Sequence, residues 1–240
     1  MATASSSGKP LRPRNKLVHR ILAALDADFL EASACYFGGG TRIVLGLEEY
    51  RESADIDFLC SDLDGYRALR SQVTQRSLGR IGGSVLPLAR EVVADRYGIR
   101  TAFAVEEEKI KFEIILEARV ALSGFRDIET GVPALDWASC FAEKFLANAD
   151  RWNDESFCSR DLIDLAFMMA RCDAKPATQG YAAACAAYGR VIDHSLKRAL
   201  TKVREKSEYR RRCIAALQIT DQRTLKAGLQ ALATQRWRTR

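Results

Sequence analysis

Histidine is almost missing from this chain: His19 and His194 are the only two among 240 residues, and they lie far apart in sequence. A histidine-built metal centre or a Ser-His-Asp triad is therefore not the chemistry to look for. Seven cysteines are present, an odd number scattered singly with no Cys-x-x-Cys spacing. That pattern excludes a disulfide framework and a zinc ribbon, and leaves most of them as small buried hydrophobes. No apolar run approaches the roughly 18 residues of a membrane helix, and the start carries no signal-peptide apolar segment. A cytoplasmic protein with no membrane partner is the expectation.

What is there suits a folded, basic protein. Hydrophobic residues make up 48% of the chain, enough for a core in one large domain or two small ones. Thirty-seven Lys and Arg against 31 Asp and Glu leave a net charge of +6, with much of the excess at the two ends. Such a balance fits a polyanionic partner.

The most informative stretch is Tyr36 to Cys60, YFGGGTRIVLGLEEYRESADIDFLC. A short apolar run, a strand over 34–37, ends in three glycines; a short helix over 41–47 follows, then a second strand over 53–60. On a strand, residues two apart share a face, so Asp55 and Asp57 project side by side while Ile56 and Phe58 enter a core. Neighbouring carboxylates repel unless a cation sits between them, and hard oxygen donors suit Mg²⁺. The glycines offer a turn without side chains and free N–H groups at a helix start, where an anion is favoured. Metal and phosphate sites this close together point to nucleotide chemistry.

A glycine pair closing one strand and Asp-x-Asp on the next resembles the DNA polymerase β-like nucleotidyltransferases. The finer form, Gly-Gly-Gly-Thr-Arg followed by Arg51-Glu52-Ser53-Ala54-Asp55-Ile56-Asp57-Phe58, resembles the AbiEii/AbiGii-like nucleotidyltransferase toxins of bacterial toxin–antitoxin pairs. The resemblance implies an α/β (α+β) fold: a nucleotidyltransferase core with a small mixed sheet, then a C-terminal helical bundle. It implies NTP phosphates on Gly39, Gly40 and Thr41, with Arg51 and Ser53 at their outer end, and Mg²⁺ on Asp55 and Asp57.

The rest of the chain is read around that stretch. Residues 1–15, rich in Ser, Gly, Pro and basic residues, are expected to form a flexible basic arm. An amphipathic helix follows, with Leu17, Val18, Ile21, Leu22, Leu25 and Phe29 at helical spacing. Asp62 or Asp64 caps a surface helix, residues 77–85 read as a loop, and strands are expected over 91–96, 98–105 and 109–118. In the last of these Lys111, Glu113 and Ile115 share a face. Polymerase β-like folds place a third acid on such a strand, so the resemblance makes Glu113 the third metal ligand, with Glu117 behind it. A salt bridge from Glu113 to Lys111 or Arg119 is the plain alternative.

Helix formers dominate after Gly131 and Pro133, which sets the expected division at a core over 16–132 and a helical domain over 133–240. Asp136 caps a helix on which Lys144, Asn148 and Arg151 form a stripe able to reach a triphosphate. The next helix, 159–171, is apolar around most of its circumference yet carries Asp161 and Asp164 one turn apart. Buried acids need partners or a metal. Lysine on one helix and Arg-Asp-x-x-Asp opening the next resemble the downstream toxin motifs, which places the nucleotide-contacting lysine on Lys144 and the completing aspartate on Asp161; pairing of Asp164 with Arg160 or Arg171 is the alternative. Residues 177–240 read as three or four further helices with a basic face.

The function implied is Mg²⁺-dependent transfer of NMP from an NTP to a hydroxyl, with the 3′ end of tRNA as acceptor and a cognate antitoxin as partner. Modification of a protein or small molecule, or non-catalytic nucleotide or RNA binding, are the other readings.

Overall fold

The computed structural model describes residues 12–82 and 87–237. Seven strands form one mixed sheet in the order β3-β4-β5-β2-β1-β7-β6. The strands are β1 (Cys35–Phe37), β2 (Ile56–Cys60), β3 (Leu88–Ala94), β4 (Gly98–Val105), β5 (Glu108–Leu116), β6 (Gly124–Arg126) and β7 (Pro133–Leu135). At the centre β2 runs parallel to β5 and antiparallel to β1, and β1 runs parallel to β7.

Alternation along β2 and β5 divides the side chains between two cores. Ile56, Phe58, Phe112 and Ile114 point to one face, where α1 (Pro13–Ala23), α2 (Ala27–Ala32) and α4 (Leu63–Ser71) close over them. On the other face Leu59 and Leu135 join a second core. It is built from α3 (Gly39–Gly46), α5 (Trp137–Arg151), α6 (Arg160–Arg171), α7 (Ala174–Tyr188), α8 (Val191–Glu205), α9 (Ser207–Ala216) and α10 (Gln222–Thr234). Asp57 and Glu113 belong to this second face, so the polar positions of two strands look toward the helices.

Carboxylate caps fix several helix starts. Asp62, Asp136 and Asp221 accept the N–H of Gly65, Ser139 and Thr224, which satisfies donors that the first turn leaves free. Helix α10 packs so close to α6 that a Cβ at Gly228 would fall 1.8 Å from the Ala166 carbonyl oxygen, and only glycine permits that approach.

Several boundaries differ from the sequence reading. Pro13–Asn15 form the first turn of α1 rather than the end of an arm, because Asn15 is buried with its Nδ2 donating to Glu49 Oε1 at 2.6 Å; residues 1–11 of that arm lie outside the described residues. The single helix expected through Phe29 is two, since Asp26 stops the periodicity and caps α2 through Phe29 N at 2.9 Å. Strand β2 begins at Ile56, so Asp55 stands in the extended segment before it. The expected loop contains a bridge between Thr74 and Ser77 and a 3-10 turn at Gly79–Ile81, and its residues 83–86 lie outside the described residues. The division at 133 falls on β7, which pairs with β1, and the helices start at Trp137.

Candidate active site

The glycine turn and the Asp-x-Asp segment are pressed together. Gly38 N donates to the Asp57 carbonyl at 2.8 Å. Gly39 has φ +65, and a Cβ there would fall 2.3 Å from Asp57 Oδ2. Two demands therefore coincide at one residue: a left-handed backbone and no side chain. Gly39→Ala is expected to keep the helical far-UV spectrum, to lose about 1–2 kcal/mol of stability, and to lose most of any transfer activity. Activity at the wild-type level would break the link between turn and carboxylate.

A Cβ at Gly40 would meet Arg51 Nη2 at 2.4 Å and Ser53 Oγ at 3.3 Å, so the turn also borders those two side chains. Thr41 is buried, and its hydroxyl donates to the Asp55 carbonyl at 2.5 Å while lying 2.9 Å from Ser53 Oγ. Its side chain thus stitches α3 to the Asp55 segment and does not enter the cleft. Among the described residues, no acceptor takes the N–H groups of Gly40 and Thr41 at the start of α3.

These residues line a cavity of about 310 Å³ between the sheet and the helices. Gly39, Gly40, Ser53, Asp55, Asp57 and Lys111 border one part, and Arg119, Glu143, Lys144 and Arg151 border another. Asp57 lies directly opposite Glu113 across the parallel β2–β5 pair. Burial, reinforced by the charges of Asp55 and Glu113, raises the Asp57 carboxyl above its ordinary range despite Lys111 and Lys144.

Among the described residues, no hydrogen bond or ion pair engages the carboxylates of Asp55 or Asp57. Two other acids at the cleft, Glu113 and Asp150, are paired. Glu113 sits 3.1 Å from Lys111 Nζ and 3.8 Å from Arg100 Nε, and Asp150 accepts from Arg119 at 3.0 Å. No group of three or more His, Cys, Asp or Glu is drawn together as a metal cage among the described residues. Glu113, the expected third ligand, lines the same cavity opposite Asp57, and its charge is answered by Lys111 and Arg100. Glu117, the reserve, is taken up by Arg119. Two neighbouring, unengaged carboxylates do fit a hard divalent ion that completes its shell with water and phosphate oxygens, as Mg²⁺ does.

Behind the cleft is a buried ionic network. Asp164, with no exposed surface, accepts from Arg51 Nε at 2.7 Å and Nη2 at 2.9 Å, and from Tyr50 OH at 2.6 Å. Lys144 Nζ lies 2.7 Å from Asp164 Oδ2 and 3.0 Å from Asp161 Oδ1. Arg151 closes the chain with Nε donating to Asp161 Oδ2 at 2.6 Å. Burial works against both acids, yet the cations hold the carboxyls of Asp161 and Asp164 below their usual range. Arg160 and Arg171, the partners expected for Asp164, are elsewhere; Arg171 reaches Asp221 and Glu48 instead.

Asp161 and Asp164 do not line the cavity, whereas Lys144, Arg51 and Arg151 do. Both Asp161 oxygens are occupied by cations, so the side chain orients Lys144 and Arg151. Asn148, expected in the same stripe, is buried and away from the cleft.

The sequence reading gave no role to Glu143. It lies 3.6 Å from Arg119 Nη2, its Oε1 is buried without a hydrogen-bond partner among the described residues, and burial followed by the Glu117 charge pushes it up to about 8, against Arg119 and Lys144. Glu117 is held low: burial opposes, but three N–H···O contacts from the Arg119 guanidinium at 2.6–3.1 Å prevail. Glu143 therefore holds its proton near neutral pH while Glu117 stays ionised beside Arg119. Glu143 lies next to Lys144 and four residues before Ala147, which also lines the cleft; that shared face is the local signal that could have found it.

The native state binds this proton more tightly than an unfolded Glu at about 4.3, so stability falls as pH rises toward about 8 and is level beyond it. Glu143→Gln keeps a neutral side chain of the same size and is expected to flatten the fall in melting temperature between pH 6 and pH 9. Parallel profiles for the two proteins would rule out a proton held on Glu143.

Residues 20–239 match the family described as nucleotidyl transferase AbiEii toxin, type IV TA system. A solved putative nucleotidyltransferase from H. pylori is 14% identical with a TM-score of 0.57, covering 93% of this chain and 95% of its own. JHP933 from Helicobacter pylori is also 14% identical, with a TM-score of 0.55 and coverage of 93% and 92%. At that identity the likeness is one of fold. No curated protein matches the chain. The family match spans nearly the whole length, and the chain belongs to the AbiEii nucleotidyltransferase toxin family.

Proposed function

We propose that the cleft transfers a nucleoside monophosphate from an NTP to an acceptor hydroxyl, with the 3′ end of tRNA as acceptor, as the toxin of a pair with a cognate antitoxin. The single observation that carries this reading is the seating of Gly39 against Asp57. It places an anion-binding helix start beside two unengaged carboxylates in one cavity.

In this reading the N–H groups of Gly40 and Thr41, with Ser53 Oγ, take phosphate oxygens. Lys144, held by Asp161 and Asp164, presents its charge to the triphosphate from the helical side. Arg51 is committed to Asp164 and sets the shape of the Gly40 wall rather than gripping phosphate freely. Asp55 and Asp57 would hold the divalent ion, Mg²⁺ by donor chemistry, which when bound offsets triphosphate charge and lowers the pKa of a coordinated hydroxyl. The acceptor oxygen bonds to the α-phosphorus as the bond to pyrophosphate breaks, and pyrophosphate leaves with that electron pair.

The tRNA assignment draws on the family and on the basic balance of the chain. No described helix is long and apolar enough to cross a membrane. Incubation with each α-labelled NTP, Mg²⁺ and total tRNA is expected to label the tRNA, and excess chelator should abolish the label. Label in protein instead of tRNA would move the acceptor, and binding without label would remove turnover.

A further inference from the structure

Six cationic side chains line the cleft: Arg51, Lys111, Arg119, Lys144, Arg151 and Arg160. Five are ion-paired, Arg51 with Asp164, Lys111 with Glu113, Arg119 with Glu117, and both Lys144 and Arg151 with Asp161. Arg160 differs. Among the described residues it makes no ion pair and no hydrogen bond, and its guanidinium lies 5.1 Å from the centre of the Phe157 ring. Arg151 lies over the same ring at 4.6 Å. An aromatic face holds a guanidinium in place without cancelling its charge or using its N–H donors.

The backbone that delivers Arg160 is unusual as well. Cys158 and Ser159, immediately before it, both adopt left-handed conformations with φ 49 and 48, which side chains with a Cβ rarely take. The turn is fastened from behind: Ser159 Oγ lies 2.8 Å from the buried Tyr209 hydroxyl, and Glu155 is held by Lys202 at 3.3 Å and by Arg212. Backbone of this kind persists where the surroundings over-determine it, and here it places one unpaired cation at the cleft.

We infer that Arg160 is a phosphate-binding residue of the cleft, its planar fork meeting two phosphate oxygens at once. The inference rests on the reading of the cleft as a nucleoside triphosphate site and adds to it a contact from the opening of α6. The phosphate has two possible sources, the triphosphate itself or a phosphodiester of the acceptor strand. Its neighbours share their charge with Asp161, Asp164, Glu113 or Glu117, whereas Arg160 shares its charge with no acid among the described residues.

The test compares the full wild-type chain with Arg160→Gln and Arg160→Lys. Affinities are measured for inorganic tripolyphosphate with Mg²⁺ and for total tRNA. Loss of about tenfold for one probe in Arg160→Gln is the expected result, the size of one or two charge-assisted hydrogen bonds. Arg160→Lys should fall between the two, keeping the charge but not the fork. Melting temperatures should agree within about 1 °C, as for other surface changes away from the core. Loss confined to tripolyphosphate places the contact on the nucleotide, and loss confined to tRNA places it on the acceptor. Wild-type affinity of Arg160→Gln for both probes overturns the inference while leaving the cleft assignment standing. A wild-type chain that binds neither probe overturns both.

Discussion

Asp57→Asn is expected to abolish transfer and to make the protein more heat-stable. The Asp57 carboxyl is raised by burial and by the charges of Asp55 and Glu113. A carboxyl raised in the folded state loses stability as pH climbs from its unfolded value through its folded one, so at neutral pH the penalty is present. The amide removes it while keeping the volume. Each kcal/mol gained is worth about 2–4 °C in a chain of this size, and the rise is measured with chelator present so that no ion offsets the repulsion. The same change removes one of the two unengaged carboxylates, and transfer should fall by at least about 10²-fold. Stability and activity moving in opposite directions is the signature of a residue kept for chemistry. A variant that melts earlier than wild type and retains its activity would make Asp57 a structural residue.

Asp164→Ala should produce the largest loss of stability. Asp164 is fully buried and accepts from Arg51, Tyr50 and Lys144. Truncation leaves the buried Arg51 and the Tyr50 phenol without their acceptor, and Lys144 and Arg151 to share the one remaining acid, Asp161. Breaking a buried ion pair by removing one partner destabilises by about 3–5 kcal/mol, against a total of about 5–15 kcal/mol for an ordinary domain. A drop of about 10 °C or more in melting temperature follows from the size scaling. Because the network spans the segment before β2, α5 and α6, phosphate affinity should fall with it. The double change Arg51→Met with Asp164→Leu removes both members of the central pair, leaves Lys144 on Asp161, and should recover part of the loss. Equal melting temperatures for wild type and Asp164→Ala would mean that the network contributes no net stability.

The chemistry was more legible in the sequence than its support. Strand alternation, a local rule that β5 obeys from Lys109 to Ile115, separates Glu113 from the core residues, and the family resemblance sets it beside Asp57. The amphipathic pattern of α6 likewise showed two acids with no water to face. Which cations answer them was not legible: Arg51 stands 113 residues from Asp164 in sequence, and only the packing of α3 and α6 brings the two segments together.

The approach of Glu143 to Glu117 has the same origin, joining the end of a strand to a helix. Short strands such as β6 and β7, three residues each, carry too little periodicity to be seen. Asp55 was placed one element too far inward because the alternating run continues upstream of the first paired residue, Ile56. Thr41 was assigned to phosphate by analogy, and its hydroxyl is instead used within the turn.

One measurement bears most directly on whether the cleft built from Gly39, Asp55 and Asp57 transfers a nucleotide: parallel reactions with total tRNA, Mg²⁺ and the same NTP labelled at the α- or the γ-phosphate. Nucleotide transfer leaves α-label on the tRNA and releases γ-label as pyrophosphate, and both signals vanish in Asp57→Asn. Transfer of the γ-label to the acceptor, or α-labelling that survives Asp57→Asn, would contradict it.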